Sequence, residues 1–457
     1  MNTFYDIHVH ALNLNHPNLS AFLFRDKLID NLIEDKFGLL TRFGIFFGAP
    51  LVSFAPKKTL IKQINKLLTS GSPSLKDTLE NCLSFFEIPL EYQFLVLEHF
   101  LKMGQPKVLN EKNQIAVNGT VYDKMLLCPL VMDFGYKNIA KGVYYNLTPK
   151  RPIANQIGDL LYAIRTYYRF NLSIEDKKMK LSKEIPDFES HKAEKLFEIY
   201  PFMGIDTRNY SLQEVEKLLN KYFGNFSKTE AGEVRRKRLF EKMGKLDSNM
   251  YAVDRDYSDV FAGIKLYPQL GFDPYPSNKE ELEKVDCLYQ FCIDKRVPIT
   301  THCSDGGFKV GNYDALTSPL GKWDKVLAKY PQLTLNFAHF GSESQSDKRQ
   351  WRNAIVNLIK EENNIYADIS CHEMNASYYE ELEYLLGSSS KVKMKNLPEK
   401  HNPNLYKRVL FGSDFSINLL AAKATSYGEY LNDFIKANIS HKNDLCEYNP
   451  QRFLFGE

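Results

Sequence analysis

Near its amino terminus the chain reads Asp6-Ile7-His8-Val9-His10. On a strand, residues two apart share a face, so Asp6, His8 and His10 point one way while Ile7 and Val9 point the other. Two imidazoles at a strand's carboxyl end can share one metal ion, although His-x-His alone is a weak motif that also arises by chance. Its company gives it weight. Ile299-Thr300-Thr301-His302 and Leu335-Asn336-Phe337-Ala338-His339 each end an apolar run with a histidine, and Leu410-Phe411-Gly412-Ser413-Asp414 ends one with a carboxylate. Phe261–Pro268 is apolar except for Lys265. A lone strand-end histidine is usually a satisfied core or rim residue. Four histidines and an aspartate at successive strand ends are the ligand types that hold zinc and similar divalent ions. Such an ion lowers the pKa of a bound water from about 15.7 towards 7 and can polarise a carbonyl under attack.

Elements that could position these groups recur along the chain. Apolar, β-rich runs lie at Phe4–Val9, Met125–Asp133, Ile199–Ile205, Phe261–Tyr267, Val297–His302, Leu333–His339, Ile365–Ile369 and Arg408–Ser413. Helical patterns separate the later ones, at Lys279–Lys295, Lys322–Tyr330, Lys348–Glu362 and Ser377–Leu386. Strands apolar throughout, alternating with helices, indicate an α/β protein with a parallel sheet covered by helices. Eight strands close a (β/α)₈ TIM-type barrel, whose active sites sit at the strands' carboxyl ends. The spacing agrees: 37 residues separate Lys265 from His302 and 37 separate His302 from His339, while the 75 from His339 to Asp414 come close to two such steps.

The first half is looser. Residues 16–121 read as a mainly helical insertion after the first strand, with helices at Lys57–Leu68, Leu75–Phe86 and Leu90–Met103, expected to cap the barrel mouth within a single domain. A separate helical domain fits less well, because the strand carrying His8 and His10 precedes it. Further insertions are expected around Asn155–Asn171 and Ser211–Leu246.

Bulk properties exclude several classes. Across 457 residues, 59 basic and 56 acidic side chains give a net charge of +3, which carries no footprint for nucleic acid or anionic lipid. The run Arg235-Arg236-Lys237-Arg238 reads as a solvated helix face, given Glu230, Glu233 and Glu241 around it. Seven cysteines without Cys-x-x-Cys spacing argue against a disulfide framework or a cysteine-built zinc site. With no leader-like or membrane-spanning run, the expectation is a cytoplasmic protein acting on a small-molecule substrate, without nucleic-acid or membrane partners. A homo-oligomer is compatible with the sequence, which does not set the oligomeric state.

Together, His8-x-His10, Lys265, His302, His339 and Asp414 resemble the ligand pattern of the amidohydrolase superfamily. The phrases Gly-Ile-Lys-Leu-Tyr-Pro (263–268), Ala-His-Phe-Gly (338–341), Tyr-Ala-Asp-Ile-Ser (366–370), Phe-Gly-Ser-Asp (411–414) and Asn-Pro-Gln-Arg-Phe-Leu (449–454) are similar to its amidohydrolase-related branch. The resemblance implies a metal-dependent hydrolase of an amide, lactone or other ester, with one or two ions, zinc first among them. His8, His10, His302, His339, Asp414 and a carboxylated Lys265 would be ligands. Asp414 would also be the general base, His339 a ligand or oxyanion stabiliser, and Asp6 a partner behind the ligands. An alternative reading places Lys265, with Tyr267, facing an anionic substrate; Asp305 and His372 are further candidates at the mouth. The rival within the superfamily is decarboxylation of an aromatic or related acid at a single ion. Cys-Ser-Asp-Gly-Gly after His302 lacks the glutamate expected of a deaminase, and Lys265 stands where a related nuclease carries glutamate. A catalytically idle barrel serving as an interaction module would have lost ligands, and none is missing.

Overall fold

The computed structural model describes residues 2–13, 85, 88–133, 153–175, 178–246, 256–308, 313–343, 349–361, 364–372, 376–387, 404–421 and 426–456. Among them, parallel strands form a ring: β1 (Thr3–Val9), β2 (Lys124–Pro129), β3 (Phe197–Ile199, resuming as Phe202–Gly204), β4 (Gly263–Leu266), β5 (Ile299–Thr301), β6 (Leu335–Phe337), β7 (Ile365–Asp368) and β8 (Val409–Leu410). Around it lie α1 (Gln93–Met103), α2 (Ile153–Arg169), α3 (Leu212–Phe223), α4 (Gly232–Gly244), α5 (Lys279–Lys295), α6 (Lys322–Lys329), α7 (Gln350–Glu361), α8 (Ala376–Leu386), α9 (Tyr427–Lys436) and α10 (Asn449–Phe455).

Strands pair in chain order. β1 meets β2 with Asp6 opposite Leu127, and β2 meets β3 with Leu126 opposite Glu198. Pro201 interrupts β3 because it has no N–H to donate to a ladder. The seam survives there, since Tyr200 N–H donates to Leu127 O at 2.9 Å and Val131 N–H to Phe202 O at 3.0 Å. From β3 to β8 the ladder is continuous, with Lys265 opposite Thr300, Thr300 opposite Asn336, and Asp368 opposite Leu410. The ring closes between β8 and β1. Ile7 N–H donates to Phe411 O at 3.2 Å, Asp414 N–H donates to His8 O at 2.7 Å, and Val9 bridges Phe415.

Every residue of β1 is buried, as a strand with barrel interior on one face and helices on the other requires. The helices obey local signals. At the start of α5 the Asn278 side chain accepts from Glu281 N–H at 3.1 Å, and the helix ends where Arg296 turns left-handed at φ 50°. α6 drives the fully buried Trp323 edge-on against Phe337 of β6, with ring centroids 5.8 Å apart. At the other end of the barrel, Phe453 of α10 stacks on Phe202 of β3 and touches Tyr366 of β7. Those strands lie across the ring from each other, so α10 closes the floor. Asn449 fastens it by donating to Tyr406 O at 2.6 Å and Val409 O at 2.8 Å.

Most of the expected 16–121 insertion, including the helices expected at 57–68 and 75–86, lies outside the described residues. Its described part holds α1, within the helix expected at 90–103, and a hairpin pairing Ile115–Val117 with Thr120–Tyr122. The hairpin leads into β2, and Asp123 N–H donates to Asn2 O at 3.1 Å, which puts it at the floor end of the strands. The approach to α1 lies at the mouth: Gln93 donates to Leu12 O at 2.9 Å, and the Phe85 ring packs on Phe415 at 4.9 Å. No helix among the described residues is long and apolar enough to cross a membrane.

The basic run corrects an expectation. Arg235 is fully buried, donating to Ser227 O and Lys295 O at 3.0 Å each and to Glu230 at 2.7 Å. Arg236 forks onto Glu198, and Arg238 joins Glu230 to Asp259. Lys237, its side chain 79% exposed, is the one that faces solvent. Successive helix residues project about 100° apart, so four in a row cannot share one face.

Candidate metal centre

Four imidazoles and a carboxylate meet at the carboxyl ends of the strands, all buried. His8 lies 5.3 Å from His10 and 4.9 Å from His339 between ring centroids, and His339 lies 4.8 Å from His302. Asp414 Oδ1 sits 2.9 Å from His10 Nε2 and 3.2 Å from His8 Nε2. Regular strand alternation does not produce this. His339 and Asp414 each turn left-handed just past their strands, at φ 60° and 59°. A non-glycine residue in that region costs about 1–3 kcal/mol and persists where its surroundings over-determine it. Here they do: Asp414 N–H is held by His8 O, and His339 N–H donates to Asp368 Oδ1 at 3.0 Å.

Asp368, at the end of β7, is the residue that the sequence reading passed over. Its carboxylate accepts from His339 N–H, from Ser370 N–H at 3.1 Å and from Asn336 Nδ2 at 2.7 Å, and also from the Ser370 hydroxyl. His8 Nδ1 donates to it at 3.1 Å. Burial alone would raise this carboxyl, but the His8 imidazole and the bonds around it hold it well below the usual carboxylate range. Asp368 thereby fixes the tautomer of His8. It had a readable signal, a carboxylate ending an apolar run.

The network assigns the other tautomers. His10 Nδ1–H donates to Leu130 O at 3.1 Å, His302 Nε2–H to Gly306 O at 3.1 Å, and His339 Nδ1–H to the Ser370 hydroxyl at 2.9 Å. Each ring therefore keeps one bare nitrogen. His8 Nε2, buried, makes no hydrogen bond despite the nearby Asp414, and His10 Nε2 faces the same Asp414 oxygen. His302 Nδ1 and His339 Nε2 confront each other at 3.1 Å. Two facing lone pairs repel unless a cation lies with them. A proton is disfavoured, because burial drives His302 well below its ordinary value and His339 down to about 3. Bare imidazole nitrogens converging on a carboxylate fit a divalent metal ion, and two sets of three groups lie within reach of one: His8, His10 and Asp414, and His8, His339 and Asp368. Asp414 is ionised: against the burial that would raise it, the neighbouring His10 and His8 imidazoles hold its carboxyl well below the ordinary range.

Lys265 projects from β4 into the same space. Its Nζ is buried without a hydrogen-bond partner among the described residues, 5.6 Å from the centre of the Tyr267 ring, and burial pushes the ammonium down to about 8 against the pull of Asp368 and Asp414. Tyr267 stacks on His302 at 4.4 Å, and its hydroxyl accepts from Phe308 N–H at 2.8 Å. His372 donates to His339 O at 2.9 Å, while half-buried Asp305 donates its N–H to Ser342 O at 3.0 Å on the rim. Asp6 lies behind the centre, accepting from His8 N–H, Ser413 N–H and the Tyr427 hydroxyl, and burial raises its carboxyl to about 6.

Gly307 seats His302. At φ 92° it brings the loop so close that a Cβ would lie 2.5 Å from the Tyr267 hydroxyl and 2.6 Å from His302 Nε2. Gly307→Ala should therefore tilt His302 and break its bond to Gly306 O. Metal affinity should fall by about 10–100-fold, the usual cost of losing a ligand's outer support. Titration with zinc against a chromophoric chelator checks this, and an unchanged affinity would remove the loop from the centre.

Residues 253–456 match the amidohydrolase family model. No curated protein matches the chain. An uncharacterised TIM-barrel protein from Bordetella bronchiseptica is similar in structure at 12% identity, covering 99% of this chain and 98% of its own, with a TM-score of 0.40. A 4-oxalomesaconate hydratase from Rhodopseudomonas palustris aligns at 11% identity over 99% of this chain and 95% of its own, with a TM-score of 0.39. A 2,6-dihydroxybenzoate decarboxylase from Rhizobium aligns at 11% identity over 73% and 84%, with a TM-score of 0.33.

Proposed function

We propose that this chain, an amidohydrolase-type barrel whose residues 253–456 carry that family's pattern, is a metal-dependent hydrolase of an amide, lactone or other ester bond in a small molecule. The observation that carries the reading is the pair His8 and His10, each with Nδ1–H committed elsewhere and Nε2 turned to one oxygen of Asp414. A bound divalent ion, zinc by the nitrogen-rich donor set, supplies an activated water and polarises the carbonyl.

The chain's own residues do the rest. Asp414, ionised and beside His8 and His10, takes a proton at a carboxylate oxygen and returns it to the leaving group. Asp368 and Ser370 keep His8 and His339 in the tautomers that leave Nε2 bare. Lys265, with its ammonium lowered, offers a neutral amine close to neutral pH. The amine form can add carbon dioxide to give a carbamate and a proton, whereas the ammonium form can bond a substrate oxygen. The barrel wall excludes bulk water, which strengthens each of these interactions.

A second reading is decarboxylation of an aromatic or related acid at one ion. It draws on the compactness of the His8, His10 and Asp414 set, which can hold a single ion without Lys265. One experiment separates the two. Metal-loaded protein is assayed against panels of lactones, esters and N-acyl compounds, and against hydroxylated benzoates with carbon dioxide release as the signal. Turnover confined to the first group supports hydrolysis; carbon dioxide release alone overturns it.

A further inference from the structure

Arg352 stands in the first turn of α7, and Glu381 in α8. These helices follow β6 and β7, so their first turns lie at the mouth. Arg352 is 7% exposed. Its Nη1 donates to Glu381 Oε2 at 3.1 Å, and Arg349 donates to the same oxygen. Its Nε and Nη2, both buried, have no hydrogen-bond partner among the described residues. Those two atoms form the edge of a guanidinium that presents parallel N–H groups and receives a carboxylate in a fork. Elsewhere the protein uses that edge in this way. Arg208 turns Nε and Nη2 onto Asp206, and Arg236 turns the same pair onto Glu198. Leaving two charged donors unmet in a buried place costs free energy that a fitting acceptor would recover.

The backbone of Arg352 adjoins the loop that follows His339. The loop after His339 is so close that a Cβ on Gly341 would lie 2.9 Å from Arg352 N. His372 donates to His339 O and stacks on Tyr378 at 4.4 Å. His372 thereby links the carbonyl of His339 to Tyr378, in the first turn of α8, the helix that carries Glu381. Among the described residues, Glu343 is a further anion nearby, and it is engaged at the helix start, accepting from Trp351 N–H at 2.8 Å.

We propose that the Nε–Nη2 edge of Arg352, backed by Arg349, is an oxyanion subsite of the barrel mouth, and that the substrate carries a carboxylate apart from the bond that reacts. The proposal rests on reading the mouth as a metal-dependent catalytic centre. A planar carboxylate matches the two parallel donors; a phosphate group shares the chemistry.

Calorimetric titration of the protein as purified, and again after chelation, with benzoate, succinate, inorganic phosphate and neutral benzamide tests it. Benzoate or succinate should bind and benzamide should not. Arg352→Met should weaken binding at least tenfold, with Arg352→Lys between. Glu381→Gln removes the competing carboxylate and should tighten binding several-fold, which keeps the test open if Arg352→Met folds poorly. Phosphate binding that is tighter than benzoate and lost in Arg352→Met would keep the subsite but overturn the carboxylate. Equal binding to wild type and Arg352→Met, no binding of any anion at millimolar concentration, or unchanged affinity in Glu381→Gln would overturn the proposal. Arg352-dependent binding that survives in a protein unable to retain metal would sink the catalytic reading instead, so the two failures differ.

Discussion

Protein purified without chelator should carry divalent metal at close to one ion per chain or more, and the double variant His8→Ala with His10→Ala should carry none. Elemental analysis by plasma mass spectrometry reads both. The expected effect is large because the two Nε2 atoms are already bare, buried and turned to Asp414. Removing both deletes half of a four-coordinate shell. The same ion should stabilise the fold by linkage, about 4 kcal/mol if the free ion stands a thousandfold above its dissociation constant. Chelation should accordingly lower the melting temperature of wild type and leave that of the double variant unmoved. A native wild type that holds no metal and gains none on titration would sink the metal-dependent reading.

Asp414→Asn should leave the barrel intact and lower turnover by about 10²–10⁴-fold, the usual worth of a positioned general acid or base. Asparagine matches aspartate in size and tolerates the left-handed backbone at this position, where φ is 59°. The amide can still lie beside His8 and His10, but it cannot accept a proton. Metal content and turnover, measured on the same preparation, divide the roles. Metal retained with turnover lost assigns Asp414 to proton transfer, and loss of both assigns it to holding the ion. Unchanged turnover would remove it from the reaction.

The frame was legible because its signals are local. Each of the eight apolar runs overlaps a barrel strand, and α5 spans the residues expected of it, 279–295, because Asn278 caps one end and Arg296 turns left-handed at the other. The strand runs were read too long: the ladder at β8 is Val409–Leu410 within an expected 408–413. The polar strand end leaves the ladder to build the mouth. Polar residues ending those runs announced His302, His339 and Asp414, and the same rule would have found Asp368. The basic run failed because charge along a sequence does not reveal which side chains a helix buries, and Arg235 goes inward.

Read alone, the chain determines an α/β barrel frame and the candidate ligand types at its strand ends, since both follow from short-range pattern and residue chemistry. Only the tertiary structure decides which nitrogen of each imidazole is bare, because the partners that fix it are distant. His8 meets Asp368 across 360 positions, and His10 meets Leu130 across 120. The same holds for the inward turn of Asp414, secured by the carbonyl of His8, and for the unmet edge of Arg352. Strand periodicity sets direction within an element, whereas protonation and satisfaction depend on what closure of the ring brings against it.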